Sequence, residues 1–149
     1  KLYAVVRSFK ETAGKTKIKA ILGVGDLETL RNVAKASLVC MMAGADFIKT
    51  STGKESTNAD LNNSLVMLRM IRDFHIKTGK KIGFKPAGGI SSSKSVLEFL
   101  ILVAEELGFE WVNPKLLRIG ASSLLIDIER QLYHYTSGRY ANKEKLAIG

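Results

Sequence analysis

The 149-residue chain is long enough for one domain with a real core, and 46% hydrophobic with 25% charged residues is the balance of a soluble fold. A net charge of +9 invites a nucleic-acid role, but residues 1–20 alone hold six Lys/Arg against one Glu, and the other cations are scattered without an arginine cluster or interleaved aromatics. No apolar run nears the roughly 20 residues that cross a bilayer, and a single cysteine can form neither an intrachain disulfide nor a cysteine-based zinc site.

Lys1-Leu2-Tyr3-Ala4-Val5-Val6-Arg7 is too short and too charged for a signal peptide, and without an initial Met the chain is expected to be a processed or truncated product. Leu2, Val5, Val6, Phe9 and Ala13 recur at three- and four-residue spacing, which predicts an amphipathic helix stopped at Gly14. Residues 18–23 read as a short strand. Asp26 is the expected cap of the next helix, with Leu27, Leu30, Ala34, Leu38 and Met41 on one face and Gly44 as its stop. Cys40 falls inside that helix as a reduced core thiol, which fits a cytoplasmic location.

Residues 46–49 form the second strand. Asn58 or Asp60 caps a helix striped by Leu61, Leu65, Leu68 and Ile71, and Gly79 ends it. Residues 81–85 form the third strand. Ser92 or Ser93 opens a helix with Val96, Leu100, Val103 and Leu107 on one face, ending at Gly108. Asn113-Pro114 breaks the chain, residues 116–120 read as a fourth strand, and a last helix runs from about Ser122 through Leu125, Ile128 and Leu132 to near Thr136. The polar tail 138–149 has no periodicity and receives no assignment.

One helix between each pair of strands forces parallel strands with right-handed crossovers. A doubly wound open sheet is one solution. Short strands with polar chemistry at their C-terminal ends favour a TIM (β/α)8 barrel instead. Four strands cannot close that barrel. The expected fold is α/β, the C-terminal half of a barrel (strands five to eight), with residues 1–14 the helix before strand five and 1–149 a partial single domain. Such a half needs the missing N-terminal half as partner, or a second copy of itself in a homodimer, to cover its edges.

Phosphate motifs divide clearly. Gly23-Val24-Gly25 lacks the third glycine of a dinucleotide fingerprint, since Glu28 stands there, and Gly53-Lys54 lacks both the early glycine and the Ser/Thr of a P-loop. Ile119-Gly120-Ala121-Ser122-Ser123 leads from a strand into a helix N-terminus, where backbone N–H groups favour an anion. With Gly88-Gly89 after the third strand, this matches the phosphate placement common in barrels. Ser122 as a plain helix cap is the other reading, and the two can coexist.

Lys49 and Lys85 each close a short apolar strand ahead of a glycine-bearing loop. Side chains alternate along a strand, so Lys49 shares a face with Phe47, and Lys85 with Gly83. Only about four in ten thousand lysines are neutral at pH 7, and lowering a pKa of roughly 10.4 to about 7 corresponds to about 4.6 kcal/mol. Desolvation plus a neighbouring like charge can supply that. Two interior lysines are thus a way to make one of them a nucleophile, and Lys49 is taken as the candidate for the Schiff base. His75 and His134 read as surface or partly buried helix residues without metal-site spacing, and Trp111 and Tyr133 as packing residues.

Asp46-Phe47-Ile48-Lys49-Thr50-Ser51-Thr52-Gly53-Lys54, Gly83-Phe84-Lys85-Pro86-Ala87-Gly88-Gly89-Ile90 and Arg118-Ile119-Gly120-Ala121-Ser122-Ser123-Leu124-Leu125, in that order, closely resemble the deoxyribose-phosphate aldolase family from about Leu2 to Tyr140. Ser137-Gly138-Arg139-Tyr140 is similar to the animal members. The resemblance implies a class I, metal-free aldolase without cofactor. It would reversibly split the small phosphorylated sugar 2-deoxy-D-ribose 5-phosphate into glyceraldehyde 3-phosphate and acetaldehyde. It places the imine on Lys49, the proton-transfer partner on Lys85, and the phosphate on Lys54, Gly88, Gly89, Ser122 and Ser123, with Thr50 and Thr52 lining the same site.

The chain also departs from that family. Val24 replaces a threonine in Gly23-Val24-Gly25-Asp26-Leu27, Ser91 replaces an arginine, and the family's catalytic aspartate and closing bacterial tyrosine have no counterpart, Tyr140 being a loose candidate. A non-catalytic half-barrel that binds phosphorylated ligands or serves as an interaction module is the competing expectation.

Overall fold

Three short parallel strands, β1 (Lys19–Ile21), β2 (Phe47–Lys49) and β3 (Gly83–Lys85), lie side by side in chain order in the computed structural model, which describes residues 1–55, 57–142 and 146. Helices α1 (Leu2–Ala13), α2 (Leu30–Met42), α3 (Leu61–Thr78), α4 (Ser93–Leu107) and α5 (Leu124–Ser137) alternate with them. Each crossover returns the chain to the same end of the sheet, so the C-terminal strand ends and their loops share one edge.

The register is regular. Lys19 pairs with Phe47 and Phe47 with Gly83, while Ile21 pairs with Lys49 and Lys49 with Lys85. These residues share one face of the sheet. Ala20, Ile48 and Phe84 occupy the other, where Ile48 and Phe84 are fully buried among Val33, Cys40, Met67, Ile71, Val103 and Trp111. Burying one such side chain stabilises by about 1.5–3 kcal/mol, so this layer holds the helices to the sheet. Trp111 donates from its indole Nε1 to the Ile82 carbonyl at 3.0 Å, tying the 3-10 turn after α4 to the entry of β3.

The helix ends follow local chemistry. Asp60 accepts from the Asn63 amide at 2.8 Å and caps α3, and Ser92 and Ser95 form a reciprocal box at the start of α4. Gly79 takes the left-handed φ of 71° that ends α3. The expected cap Asp26 gives way to Thr29, whose hydroxyl accepts from the Asn32 amide, so α2 begins at Leu30. Its buried face is Val33, Ala36, Ser37, Cys40 and Met41, leaving Leu30 and Leu38 exposed. Of the apolar stripe of α1 only Val6 is buried.

The fourth strand expected over residues 116–120 is absent as a strand. Two single parallel bridges take its place, Phe84 with Leu117 and Ala87 with Gly120. Phe84 donates to Leu116 O, Arg118 to Phe84 O, and Gly120 to Pro86 O, with backbone distances of 2.8–3.1 Å. The rung that residue 86 would donate is missing because Pro86 has no N–H. The alternation of strands and helices otherwise stands, and no helix among the described residues is long and apolar enough to cross a membrane. Of the unassigned tail, residues 143–145 and 147–149 lie outside the described residues. Tyr140 stacks on His134 with ring centroids 4.2 Å apart.

Candidate active site

Lys49 and Lys85 are in-register neighbours on the face opposite the helix-packed core. Phe47, one step earlier on that face, lays its ring over Gly83, where a Cβ would come within 2.2 Å of Phe47 Cε1. The Arg118 guanidinium carbon lies 5.2 Å from the Phe47 ring centroid. The Lys85 ammonium is pushed below its ordinary pKa, first by desolvation and then by the like charges of Lys19, Lys49 and Arg118. Desolvation and three neighbouring cations thus favour proton loss at Lys85.

The loops after β2 and β3 are joined by hydroxyls. Ser51 Oγ donates to the Ala87 carbonyl at 2.6 Å, Thr50 Oγ1 donates to the same carbonyl at 3.2 Å, and Thr50 Oγ1 accepts from the Ala87 amide at 3.0 Å. Thr50 and Ser51 are fully buried. Thr50, expected to line the pocket, is therefore a fastener between two loops and forms no part of the cavity wall. Asn58 packs against Gly88, whose φ of 90° and lack of a Cβ permit the contact; a methyl there would lie 2.4 Å from Asn58 Oδ1. Glu55 Oε1 accepts from both the amide and the hydroxyl of Thr52, which shapes the turn that presents Lys54.

A cavity of about 530 Å³ opens at this edge of the sheet. Lys49, Thr52, Gly53 and Lys54 form one wall, residues 87–91 a second, and Gly120, Ala121, Ser122 and Ser123 a third. Of the expected site residues, Lys49, Thr52, Lys54, Gly88, Gly89, Ser122 and Ser123 meet here. Lys85 stands beside Lys49 in the sheet, outside the wall itself. Gly120 permits the close approach of the third wall, because a Cβ on it would fall 2.6 Å from Ala87 Cβ and 3.0 Å from Lys85 Cε.

Ser123 occupies the cap position of α5, yet its side chain makes no cap hydrogen bond, and Ser122 precedes the cap. Capping therefore does not commit either hydroxyl. Val24 lies in the core cluster, 3% exposed, away from the cavity. Asp46 is remote as well, accepting from Lys10 Nζ and the Ile18 amide at 2.8 Å each and anchoring α1 at the opposite end of β2. Sequence reasoning missed Lys19 and Arg118, whose nearness to Lys85 depends on the strand register. Among the described residues no group of three or more His, Cys, Asp and Glu is placed to hold a metal ion.

Comparison with known proteins converges on one family. The chain is 61% identical over 140 residues to the human deoxyribose-phosphate aldolase and 59% identical over 140 residues to the bovine one, covering 94% of this chain in each case. It spans 44% of each relative, less than half their length. A crystal structure of a Toxoplasma gondii chain proposed to be a deoxyribose-phosphate aldolase superposes with a TM-score of 0.78 at 22% identity, covering 93% of this chain and 53% of that one. The aldolase QR15 superposes with a TM-score of 0.62 at 24% identity, over 90% of this chain and 52% of its own. At these identities the two structures speak for the fold alone. The family model for DeoC/LacD aldolases matches residues 2–125, the stretch that holds both lysine strands and the serine loop, and the chain belongs to that family.

Proposed function

We propose that this chain is the C-terminal half of a TIM-type (β/α)8 barrel, a partial domain over residues 1–149, in a class I aldolase that reversibly cleaves 2-deoxy-D-ribose 5-phosphate. The observation that carries the chemistry is the in-register pair Lys49 and Lys85 at one sheet edge, with Lys49 lining a cavity walled by glycines and hydroxyls. The half-barrel reading is supported by exposed apolar side chains on the first strand and on the helices at both ends of the chain. Phe9 of α1 is 64% and Ile21 of β1 48% exposed, and Ile101 of α4 is 61% and Leu132 of α5 62% exposed. Those side chains suit a covering segment, either the rest of the barrel or a second copy of the chain.

In the reaction, neutral Lys49 adds to the C1 aldehyde of the open-chain sugar and loses water to give an imine. Once protonated, the imine accepts the electron pair of the C2–C3 bond as that bond breaks. The C3 hydroxyl gives up its proton, and glyceraldehyde 3-phosphate departs. The enamine is then protonated at C2, and water releases acetaldehyde from Lys49. Lys85, its ammonium weakened by desolvation and then by the surrounding cations, is the proton carrier next to the nitrogen. Lys54, the Gly88 and Gly89 backbone and the Ser122 and Ser123 hydroxyls hold the phosphate, and Thr52 borders the sugar. The acceptor for the C3 proton comes from outside this chain. We place the enzyme in the cytoplasm, where the buried thiol of Cys40 stays reduced.

Borohydride reduction in the presence of acetaldehyde tests the assignment. The stable ethyl adduct is expected on Lys49 of the full-length polypeptide, and a Lys49→Leu variant should neither label there nor cleave the sugar phosphate. Labelling of another lysine, or cleavage by the variant, would falsify it.

A further inference from the structure

A second, smaller cavity of about 220 Å³ adjoins the first and shares Ser91 and Ser123 with it; Ile126, Asp127 and Arg130 of α5 complete its lining. Its polar groups are unequally committed. Asp127 Oδ2 accepts from the Ser93 amide at 2.7 Å and from Ser93 Oγ at 2.6 Å, so that carboxylate is tied to the start of α4. Gln131 also bonds that carboxylate, and the Arg130 guanidinium is near enough to attract it, yet the Arg130 Nε is buried and has no hydrogen-bond acceptor. The Tyr140 ring, 5.7 Å from the guanidinium carbon, backs the Arg130 head. A buried N–H without an acceptor is costly, and a guanidinium is the side chain best matched to phosphate oxygens.

We propose that Arg130 is a further phosphate-recognition residue, approaching the phosphate end of the active site through the side cavity it shares with Ser91 and Ser123. Serine at position 91 supports this arrangement, since it puts a small neutral side chain where the two cavities meet. A phosphate monoester near pH 7 carries close to two negative charges. Lys54 in the main cavity and Arg130 in the adjoining one would supply two cations from separate parts of the chain. The inference rests on the phosphate reading given above and extends it to α5.

The test compares kcat/KM for 2-deoxyribose 5-phosphate with that for unphosphorylated 2-deoxyribose in the full-length polypeptide. Loss of one charge-assisted contact should shrink the preference for the phosphorylated sugar about tenfold in Arg130→Gln. Arg130→Lys should restore part of it. Arg130→Met, which keeps the apolar stem, replaces the glutamine variant if that one does not fold. Lys54→Met is the reference. If Lys54→Met erodes the preference and the Arg130 variants leave it intact, or slow both sugars alike, Arg130 has no role in recognition and the phosphate reading stands. If Lys54→Met and the Arg130 variants all leave the preference intact, the phosphate end itself is misplaced and both ideas fall.

Discussion

The two faces of the three-stranded sheet are built from the same three strands and do opposite things. One presents Ala20, Ile48 and Phe84 to the helices and is sealed. The other presents Lys19, Lys49 and Lys85 with Ile21, Phe47 and Gly83, and gathers positive charge that nothing on the strands neutralises. The contrast shows how a parallel sheet separates labour by parity. Even positions hold the fold together, and odd positions accept an electrostatic penalty that makes a lysine lose its proton more readily.

Substitutions on each face can break this comparison. On the proposed reading the largest effect belongs to Lys49→Leu, which in the full-length polypeptide should reduce sugar-phosphate cleavage below detection while leaving the thermal midpoint unchanged; a destabilised variant would mean that Lys49 also holds the fold. On the sealed face, Phe84→Ala should cost about 3–5 kcal/mol in denaturant unfolding, as for other fully buried aromatics. A cost under 1 kcal/mol would show that this layer is not the support of the sheet. Gly83→Ala puts a methyl into the Phe47 ring and should cost about 1–3 kcal/mol by overpacking, with a larger loss of activity than of stability because Lys85 is two residues away. Thr50→Val removes a donor and an acceptor to Ala87 and should cost about 1–3 kcal/mol, raising KM by loosening the loop after β3.

The smallest effect is the most diagnostic. Lys85 has a folded-state pKa lowered from its ordinary 10.5, so its charged form is disfavoured by folding. The folded state binds fewer protons than the unfolded chain between the lowered value and 10.5, and stability should rise with pH across that window. Lys85→Met should therefore be more stable than the parent at neutral pH, and the advantage should fade as pH approaches 10.5. An advantage that is flat with pH would assign it to packing alone.

Much of this arrangement was legible in the residues. Lysines at the ends of apolar runs, each followed by a glycine loop, mark Lys49 and Lys85 without any coordinates, and alternation alone puts Phe47 and Gly83 beside them. The helix stops at Gly14, Gly79 and Gly108 are equally local signals. What was hidden depends on pairing across the chain. Lys19 and Arg118 join the cationic group only through register and the approach of residues 116–120. That segment has the composition of a strand, but its partner rung is removed by Pro86, some thirty residues earlier. Thr50 looks like a substrate hydroxyl until the fold brings Ala87 alongside. Leu30 and Leu38 fit a helix stripe, but the neighbouring stripe of Val33, Ala36, Cys40 and Met41 is the one the fold packs inward, a choice that spacing alone does not make.

Trp111, the sole tryptophan of the chain, sits 2% exposed with its indole N–H on Ile82 and the Lys81 ammonium 4.7 Å from its ring centroid. Its emission is therefore a built-in gauge of whether β3, the strand that carries Lys85, is seated against α4. A blue-shifted spectrum that turns red in a single denaturant transition would report the sheet and its helices parting together. Binding at the far end of β3 could be followed by the same signal without attaching any dye.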